Sequence, residues 1–163
     1  MPLDKPETVS QTDTIGAAHA LPAGIAPGTA VMTLDGLLPV EHLLPGDRVI
    51  TRCGIAILQD IRVHEDPGPC LAVSNTGPGR PRDSVAFGAG QTILLRDWRA
   101  RAMFGRASAV VALSRLADGE AVAPAATAPA RLIEPVFATP QVIYAGGLEV
   151  LCPGLEAEPA RAA

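Results

Sequence analysis

The sequence lacks any long hydrophobic run. No stretch approaches the roughly 20 consecutive apolar residues of a membrane-spanning helix. The first residues include Asp4, Lys5 and Glu7 and lack the apolar core of a signal peptide. We therefore expect a soluble, cytoplasmic chain.

Cysteine is also scarce. Cys53, Cys70 and Cys152 are odd in number, lie far apart and form no C-x-x-C pair. Disulfide frameworks and thiolate zinc sites need paired or closely spaced cysteines. The sequence therefore predicts buried or partly buried free thiols, and it predicts no metal site and no cofactor.

Neither sign of charge dominates the chain. The net charge of −4 comes largely from acidic residues near the two ends, including Asp4, Glu7, Asp13, Glu156 and Glu158. The part between them is almost neutral, whereas a nucleic-acid-binding domain normally carries a strong basic surface. The composition therefore disfavours nucleic acid and membranes as partners and leaves the partner itself unidentified.

Glycine and proline are abundant, with 16 of each among 163 residues. This level favours turns over long helices, while an apolar content of 48% is enough to bury one core. Residues 1–20 and 153–163 are rich in polar or small side chains, contain prolines and show no hydrophobic period. We therefore predict a disordered leader (1–20), one folded domain (21–152) and a disordered tail (153–163).

Short apolar or alternating segments between turn residues fill the predicted domain. Asp35-Gly36 and Gly146-Gly147 each predict a tight hairpin, because both pairs tolerate the positive φ angles of such turns. The predicted strands are 30–34, 48–52, 55–64, 70–74, 84–87, 92–96, 108–113, 120–123, 131–138, 142–145 and 148–151. The predicted exposed loops are 76–82 and 124–130. This spacing predicts an all-β fold of short, curved antiparallel hairpins.

Several motifs near the start of the domain follow one another closely. They are Pro27-Gly28-Thr29, the Asp35-Gly36 turn, Pro39-Val40-Glu41 and Pro45-Gly46-Asp47. Residues 24–52 thereby resemble the opening of Hint domains, the hedgehog/intein autoprocessing modules, and most closely their bacterial version. Residues 90–95 resemble the family's Ser-Pro-Gln-His-x-x-Leu block, and residues 142–154 resemble its final hairpin. The resemblance implies a Hint-like fold in a bacterial protein.

The resemblance also implies that the chemistry of the family is missing here. Autoprocessing needs a thiol or hydroxyl on the first residue to attack the preceding carbonyl, and the aligned residue is Gly24. The family's block-two histidine aligns with Thr92, whose hydroxyl is not an acid or base near neutral pH. Residues 148–154 contain no asparagine for a C-terminal cleavage step. We therefore predict no catalytic residue, with Gly24 and Thr92 as vestigial positions.

A relocated nucleophile is the alternative. Thr29 with His42 or His64 as its base, or the thiol of Cys53 or Cys152, would then cleave the chain. Each residue also has a structural interpretation, namely a β-branched residue entering a strand, solvated histidines and free thiols.

The segment 96–106 combines arginines with aromatic side chains. Guanidinium groups pair with phosphate or carboxylate, and aromatic rings stack. The anion-binding candidates are Arg96, Arg99, Arg101 and Arg106. If the segment were a strand, Arg99 and Arg101 would share one face. The competing interpretation is a solvated, salt-bridged face with Trp98 anchoring the core.

The sequence thus predicts a degenerate, non-processing Hint domain that serves as a scaffold or binding module. Two alternatives belong to other classes of protein. One is a self-cleaving enzyme with a relocated nucleophile, and the other is a small module that binds an anionic partner through residues 96–106.

Overall fold

A computed structural model describes residues 21–74 and 84–155. The predicted leader 1–20, the predicted loop 76–82 and residues 156–163 of the predicted tail lie outside this part of the chain. The strands of the described part are β1 (Ala30–Thr33), β2 (Gly36–Pro39), β3 (Arg48–Thr51), β4 (Gly54–Ile57), β5 (Asp60–Glu65), β6 (Cys70–Ser74), β7 (Ser84–Gly88), β8 (Thr92–Leu95), β9 (Ala109–Ala112), β10 (Val122–Pro124), β11 (Arg131–Val136), β12 (Gln141–Ala145) and β13 (Leu148–Cys152). Its helical elements are α1 (Trp98–Phe104) and two 3₁₀ turns, Val40–His42 and Leu113–Leu116.

The strands form three antiparallel sheets. The largest has the order β2-β1-β3-β12-β13-β8-β9, with β4 paired to β3. The smaller sheets are β10-β6-β7 and β11-β5. Because Val31 of β1 pairs with Ala145 of β12, the beginning and the end of the domain meet in one sheet. These sheets confirm the predicted all-β fold.

The hairpin turns follow the predicted turn residues. Gly146 and Gly147, with φ of 59° and 83°, join β12 to β13. Between β1 and β2 the two loop residues are Leu34 and Asp35, and Gly36 with φ of 100° begins β2. Positive φ at both central residues of the Gly146-Gly147 turn matches the twist of its strands. The β1–β2 loop instead lies one residue earlier than the predicted Asp35-Gly36 pair, and its positive φ is on the residue that follows the loop.

Two hairpins contain the same Thr-x-x-Gly hydrogen-bond motif. The Thr33 hydroxyl donates to the Gly36 carbonyl at 2.7 Å and accepts from the Asp35 N–H at 3.1 Å. The Thr51 hydroxyl has the same two bonds, to the Gly54 carbonyl and from the Cys53 N–H. Both threonines are buried. Each hydroxyl therefore bonds the turn backbone from the buried side of its hairpin.

The buried residues form one main core and a small second cluster of Ala26, Cys70 and Leu132. The largest fully buried side chains of the main core include Phe87, Phe137, Ile25, Leu58 and Leu113. Ile25 comes from the segment before β1, so that segment is part of the core and not a peripheral extension. None of the helices in the described ranges has the length and hydropathy needed to cross a membrane.

The predicted strand 55–64 is divided in two. Leu58 exchanges backbone bonds with Gly46 and Asp47, and the Gln59 N–H then donates to the Val136 carbonyl. The chain therefore changes partners from β3 to β11 at this point, which the continuous apolar pattern did not reveal.

The strand geometry considered for residues 96–106 is wrong, because residues 98–104 form α1. Asp97 caps the helix by accepting the Arg99 N–H at 2.9 Å, and Gly105 ends it with φ of 68°. Ala100 is the buried residue of α1, whereas Trp98 is 75% exposed. Trp98 therefore does not anchor the core, and the helix presents its indole ring to solvent.

The described chain continues past the predicted domain end at residue 152. The Phe137 N–H donates to the Pro153 carbonyl, and the Leu155 N–H donates to the Phe137 carbonyl. Gly154 is buried between them. Residues 153–155 thus belong to the fold, because they pair with the chain that follows β11.

We expect Thr33→Val and Thr51→Val each to lower the free energy of unfolding by about 1–2 kcal/mol, because each removes the two part-buried hydrogen bonds that the hydroxyl makes in its turn. Urea denaturation measures the loss. Thr127→Val, in the exposed loop between β10 and β11, is the matched control and should stay within about 0.5 kcal/mol of the parent. Equal effects at all three positions would contradict a role for the hydroxyls.

Candidate functional site

Residues 21–26 cross the chain at Gly88–Gly90 at very short range. The Gly90 N–H donates to the Pro22 carbonyl at 2.8 Å, and the Gly88 N–H donates to the Gly24 carbonyl at 3.0 Å. A Cβ atom on Gly90 would lie 2.5 Å from the Leu21 oxygen, and one on Gly88 would collide with the Pro22 carbonyl. Only glycine allows the two backbones to approach this closely.

Gly24 is confined in the same way. It is buried and has φ of 128°, a conformation that residues with side chains rarely adopt. A Cβ atom at this position would lie 2.8 Å from Cβ of Leu132. The neighbouring Ile25 exchanges two 2.9 Å backbone bonds with Ile133, which fixes the segment against β11.

Gln91 holds this segment to the main sheet. Its Oε1 accepts the Gly24 N–H at 2.8 Å in a buried bond. Its Nε2 donates to the carbonyls of Thr92 and Leu151, at 3.0 and 2.9 Å. The amide is 3% exposed, so three bonds replace the water that it has lost. One side chain thereby ties the entering chain to β8 and β13.

Sequence reasoning did not select Gln91 as a site residue. The available signal was its place in the segment that resembles the Ser-Pro-Gln-His block, where it stands at the glutamine. Thr92, which aligns with the histidine, begins β8 and is half-buried. Because Gln91 precedes Thr92 in the chain and bonds Gly24, both predicted vestigial positions belong to one local structure.

The residues of the relocated-nucleophile alternative do not form a catalytic group. Thr29 is buried, and within the described residues no hydrogen bond joins its hydroxyl to a histidine. His42 is exposed in the first 3₁₀ turn. The His64 Nε2 lies 3.1 Å from Glu134 Oε1, across the β5–β11 pair. These are surface and packing arrangements.

The cysteines differ sharply in their access to solvent. Cys53 is exposed in the β3–β4 turn, which corrects the prediction that all three thiols are at least partly buried. Cys70 and Cys152 are buried. Burial raises the pKa of the Cys70 thiol, and burial together with the charge of Glu134 raises the pKa of Cys152. The two buried thiols are therefore poor nucleophiles near neutral pH.

Two carboxylates of the opening motifs hold turns. Glu41 Oε2 accepts the Gly28 N–H at 2.7 Å, and this backbone bond lowers the pKa of Glu41 below its ordinary value. Asp47 Oδ2 accepts the Leu44 N–H at 2.9 Å. Their structural bonds explain why carboxylates stand at these positions of the motifs.

The four candidate arginines divide into two kinds. Arg96 Nε donates to Glu149 at 2.7 Å, and Arg99 donates to Asp97 in a forked pair whose shortest bond is 2.7 Å. Arg101 and Arg106 have no acidic partner within the described part of the chain and are exposed. Two guanidinium groups thus remain uncompensated.

The acids that face these arginines are stabilised in their charged form. The Arg99 hydrogen bond is the main cause that lowers the pKa of Asp97. Partial burial acts to raise the pKa of Glu149, but hydrogen bonds from Arg96 and Arg52 outweigh it, so that the pKa lies below its ordinary value. Both ion pairs therefore persist at neutral pH. Residues 21–74 and 84–155 contain no cluster of three or more potential metal ligands.

The fold is that of inteins. The bacterial intein-like domain from Clostridium thermocellum aligns with a TM-score of 0.59 and 16% identity, over 82% of this chain and 99% of its own. The gp41-1 intein aligns with a TM-score of 0.54 and 11% identity, over 80% and 98% of the two chains. The corresponding values for a variant of the MchDnaB-1 intein are 0.51, 14%, 79% and 98%.

The sequence comparison assigns the family. A family model described as the Hint domain matches residues 23–152. The chain therefore belongs to the Hint domain family. No curated protein matches it by sequence.

The thiol environments predict selective labelling. In the native protein, a disulfide exchange reagent such as DTNB should modify Cys53 quickly and leave Cys70 and Cys152 unmodified, because burial and a raised pKa reduce their thiolate population. Absorbance counting gives the stoichiometry, and denaturant should expose the other two thiols. Cys53→Ser is the control, and rapid labelling of this variant in the native state would contradict the assignment.

Proposed function

We propose that this Hint domain no longer cleaves its own chain and serves as a scaffold or binding module. The observation that carries the proposal is the environment of Gly24, the residue aligned with the family's nucleophile. Glycine supplies no thiol or hydroxyl, and its positive φ and the nearby Leu132 leave no room for a side chain. The backbone conformation at residue 24 therefore disfavours any residue with a nucleophilic side chain at this position.

The hydrogen bond from Gln91 supports the same proposal. Breaking the Ala23–Gly24 amide would require a proton to reach the Gly24 nitrogen, which becomes the leaving amine. The group beside that nitrogen is the Gln91 amide oxygen, at 2.8 Å. An amide oxygen accepts hydrogen bonds and has no proton to give. Its bond to the Gly24 N–H holds the intact peptide in place.

Thr92 is the third feature that supports the proposal. A histidine at this position would supply an acid or base near neutral pH, and a threonine hydroxyl does not. The site therefore lacks a nucleophile and a proton donor at the two positions that the family alignment identifies. The expectations that the protein is bacterial and cytoplasmic stay predictions.

Self-cleavage through another residue is the competing function. Cys152, at the end of β13, is one of its candidate nucleophiles. Burial of Cys152 and its raised pKa oppose this use. Binding of an anionic partner, the third possibility, is compatible with a non-processing domain.

Intact-mass measurement tests the proposal directly. Incubated at neutral pH with excess thiol, the purified full chain should keep its full-length mass, because no side chain of the described ranges 21–74 and 84–155 supplies an activated nucleophile at the Ala23–Gly24 bond. Release of a fragment that ends at Ala23 would contradict the proposal. If a tail fragment were released and Cys152→Ala abolished its release, the relocated-nucleophile alternative would replace it.

A pair of glycine substitutions tests the confinement at residue 24. Gly54→Ala introduces a side chain at φ of 112° into open space, so it should cost about 1–2 kcal/mol of backbone strain. Gly24→Ala adds a close contact with Leu132 to a similar strain, and it should cost at least about 2 kcal/mol more. Urea denaturation compares the two, and equal costs would mean that residue 24 can accept a side chain.

A further inference from the structure

The indole ring of Trp98 is the most exposed aromatic group of the described fold, at 75%. It is the chain's one tryptophan, and it stands on the first residue of α1. Met103, on the same short helix, is 47% exposed. Exposed tryptophan and methionine beside arginine form the composition that is enriched at the centres of protein interfaces.

Trp98 borders two depressions. The first, of about 610 Å³, is lined by Arg96, Asp97, Trp98, Arg101, Ala102 and Ala107. The second, of about 560 Å³, is lined by Asp97 and Trp98 together with apolar side chains that include Ile93, Leu113 and Leu148. Trp98 is thus shared by two shallow grooves, and side chains of a bound segment can pack against it from either groove.

The positive charge near α1 indicates an acidic partner. Asp97 forms an ion pair with Arg99, and Glu149 forms ion pairs with Arg96 and Arg52. The exposed Arg101 lines the first groove, and the exposed Arg106 lines a further depression at the end of α1, beside Phe104. Neither arginine has an acidic partner among the described residues, so both keep their positive charge. This basic region contrasts with a chain whose net charge is −4.

We propose that this surface, defined by Arg96, Trp98, Arg101, Met103 and Arg106, binds an acidic, partly apolar peptide segment of a partner protein. Carboxylates of the peptide pair with Arg101 and Arg106, and its apolar side chains cover Trp98 and Met103. The proposal does not depend on the absence of self-cleavage, because the surface lies on α1 and not at Gly24.

A peptide fits these features better than a nucleic acid. Nucleic-acid binding proteins gain most of their affinity by neutralising many phosphates, often about 6–10. The α1 surface offers two uncompensated arginines, and the rest of the chain is acidic overall. Met103 adds an apolar contact that a phosphate backbone does not use.

Trp98 reports on its own site, because its fluorescence is the only tryptophan signal of the full chain. The free protein should emit at the long wavelength of a hydrated indole. Titration with a short peptide of glutamates interspersed with leucines should shift the emission to shorter wavelength in a saturable way, and added salt should weaken the binding. The same peptide with glutamine in place of glutamate should give no shift.

Three variants locate the binding. Arg101→Gln and Met103→Ala should each weaken binding about tenfold or more, since a charge-assisted pair or a buried apolar contact is lost. Arg48→Gln removes an exposed arginine from β3, three strands from β8 in the sheet order, and should bind like the parent. Circular dichroism and thermal melting should show that all three variants keep the fold.

The remaining outcomes would overturn the proposal. A free-protein emission already typical of a buried indole would mean that Trp98 is covered by this chain itself. Absence of a saturable shift, or equal binding by the glutamine peptide, would exclude an acidic peptide. Tighter binding of single-stranded oligothymidylate than of the glutamate peptide would assign the surface to nucleic acid instead.

Discussion

The rest of the site depends on the close crossing of residues 21–24 with residues 88–90. Gly88 and Gly90 leave no space between the two backbones, and their N–H groups donate to the carbonyls of Gly24 and Pro22. The crossing carries Ile25 into the core, where it pairs with Ile133 of β11. Main-chain contact thus positions the beginning of the domain, and the side chains around it only have to preserve that contact.

Catalysis and stability make opposite demands on such a crossing. A reactive amide needs a nucleophile on one side and a proton donor on the other, and both groups must stay available for reaction. Here the polar groups already form structural hydrogen bonds. The Gly24 N–H and both the oxygen and the nitrogen of the Gln91 side-chain amide have partners. A fully satisfied buried network of this kind stabilises one arrangement. These bonds therefore hold the entering chain in place, as the proposed non-processing function requires.

The sequence predicted those parts of the fold that depend on neighbouring residues. The hairpin at Gly146-Gly147 follows from local φ preferences, and most strand segments follow from short apolar runs between turn residues. Helix α1 was missed although Asp97 and Gly105 bracket it, because the alternation of Arg99 and Arg101 also suits a strand. The role of Gln91 was beyond local reasoning, since its bond to Gly24 joins residues 67 positions apart. Sequence indicated the position of the site, but only the tertiary structure identified the residue that holds it.

Strand β8 connects the Gly24–Gln91 site to the α1 surface. Gln91 stands immediately before β8 and bonds the Leu151 carbonyl near the end of β13, while Arg96 stands immediately after β8 and bonds Glu149 of the same strand. Asp97 then caps α1 and so sets the position of Trp98. β13 thus contacts both ends of β8, through Leu151 near Gln91 and through Glu149 at Arg96. The strand that supports Gly24 through Gln91 therefore also supports the start of α1, which suits the binding role that we propose for a non-processing domain.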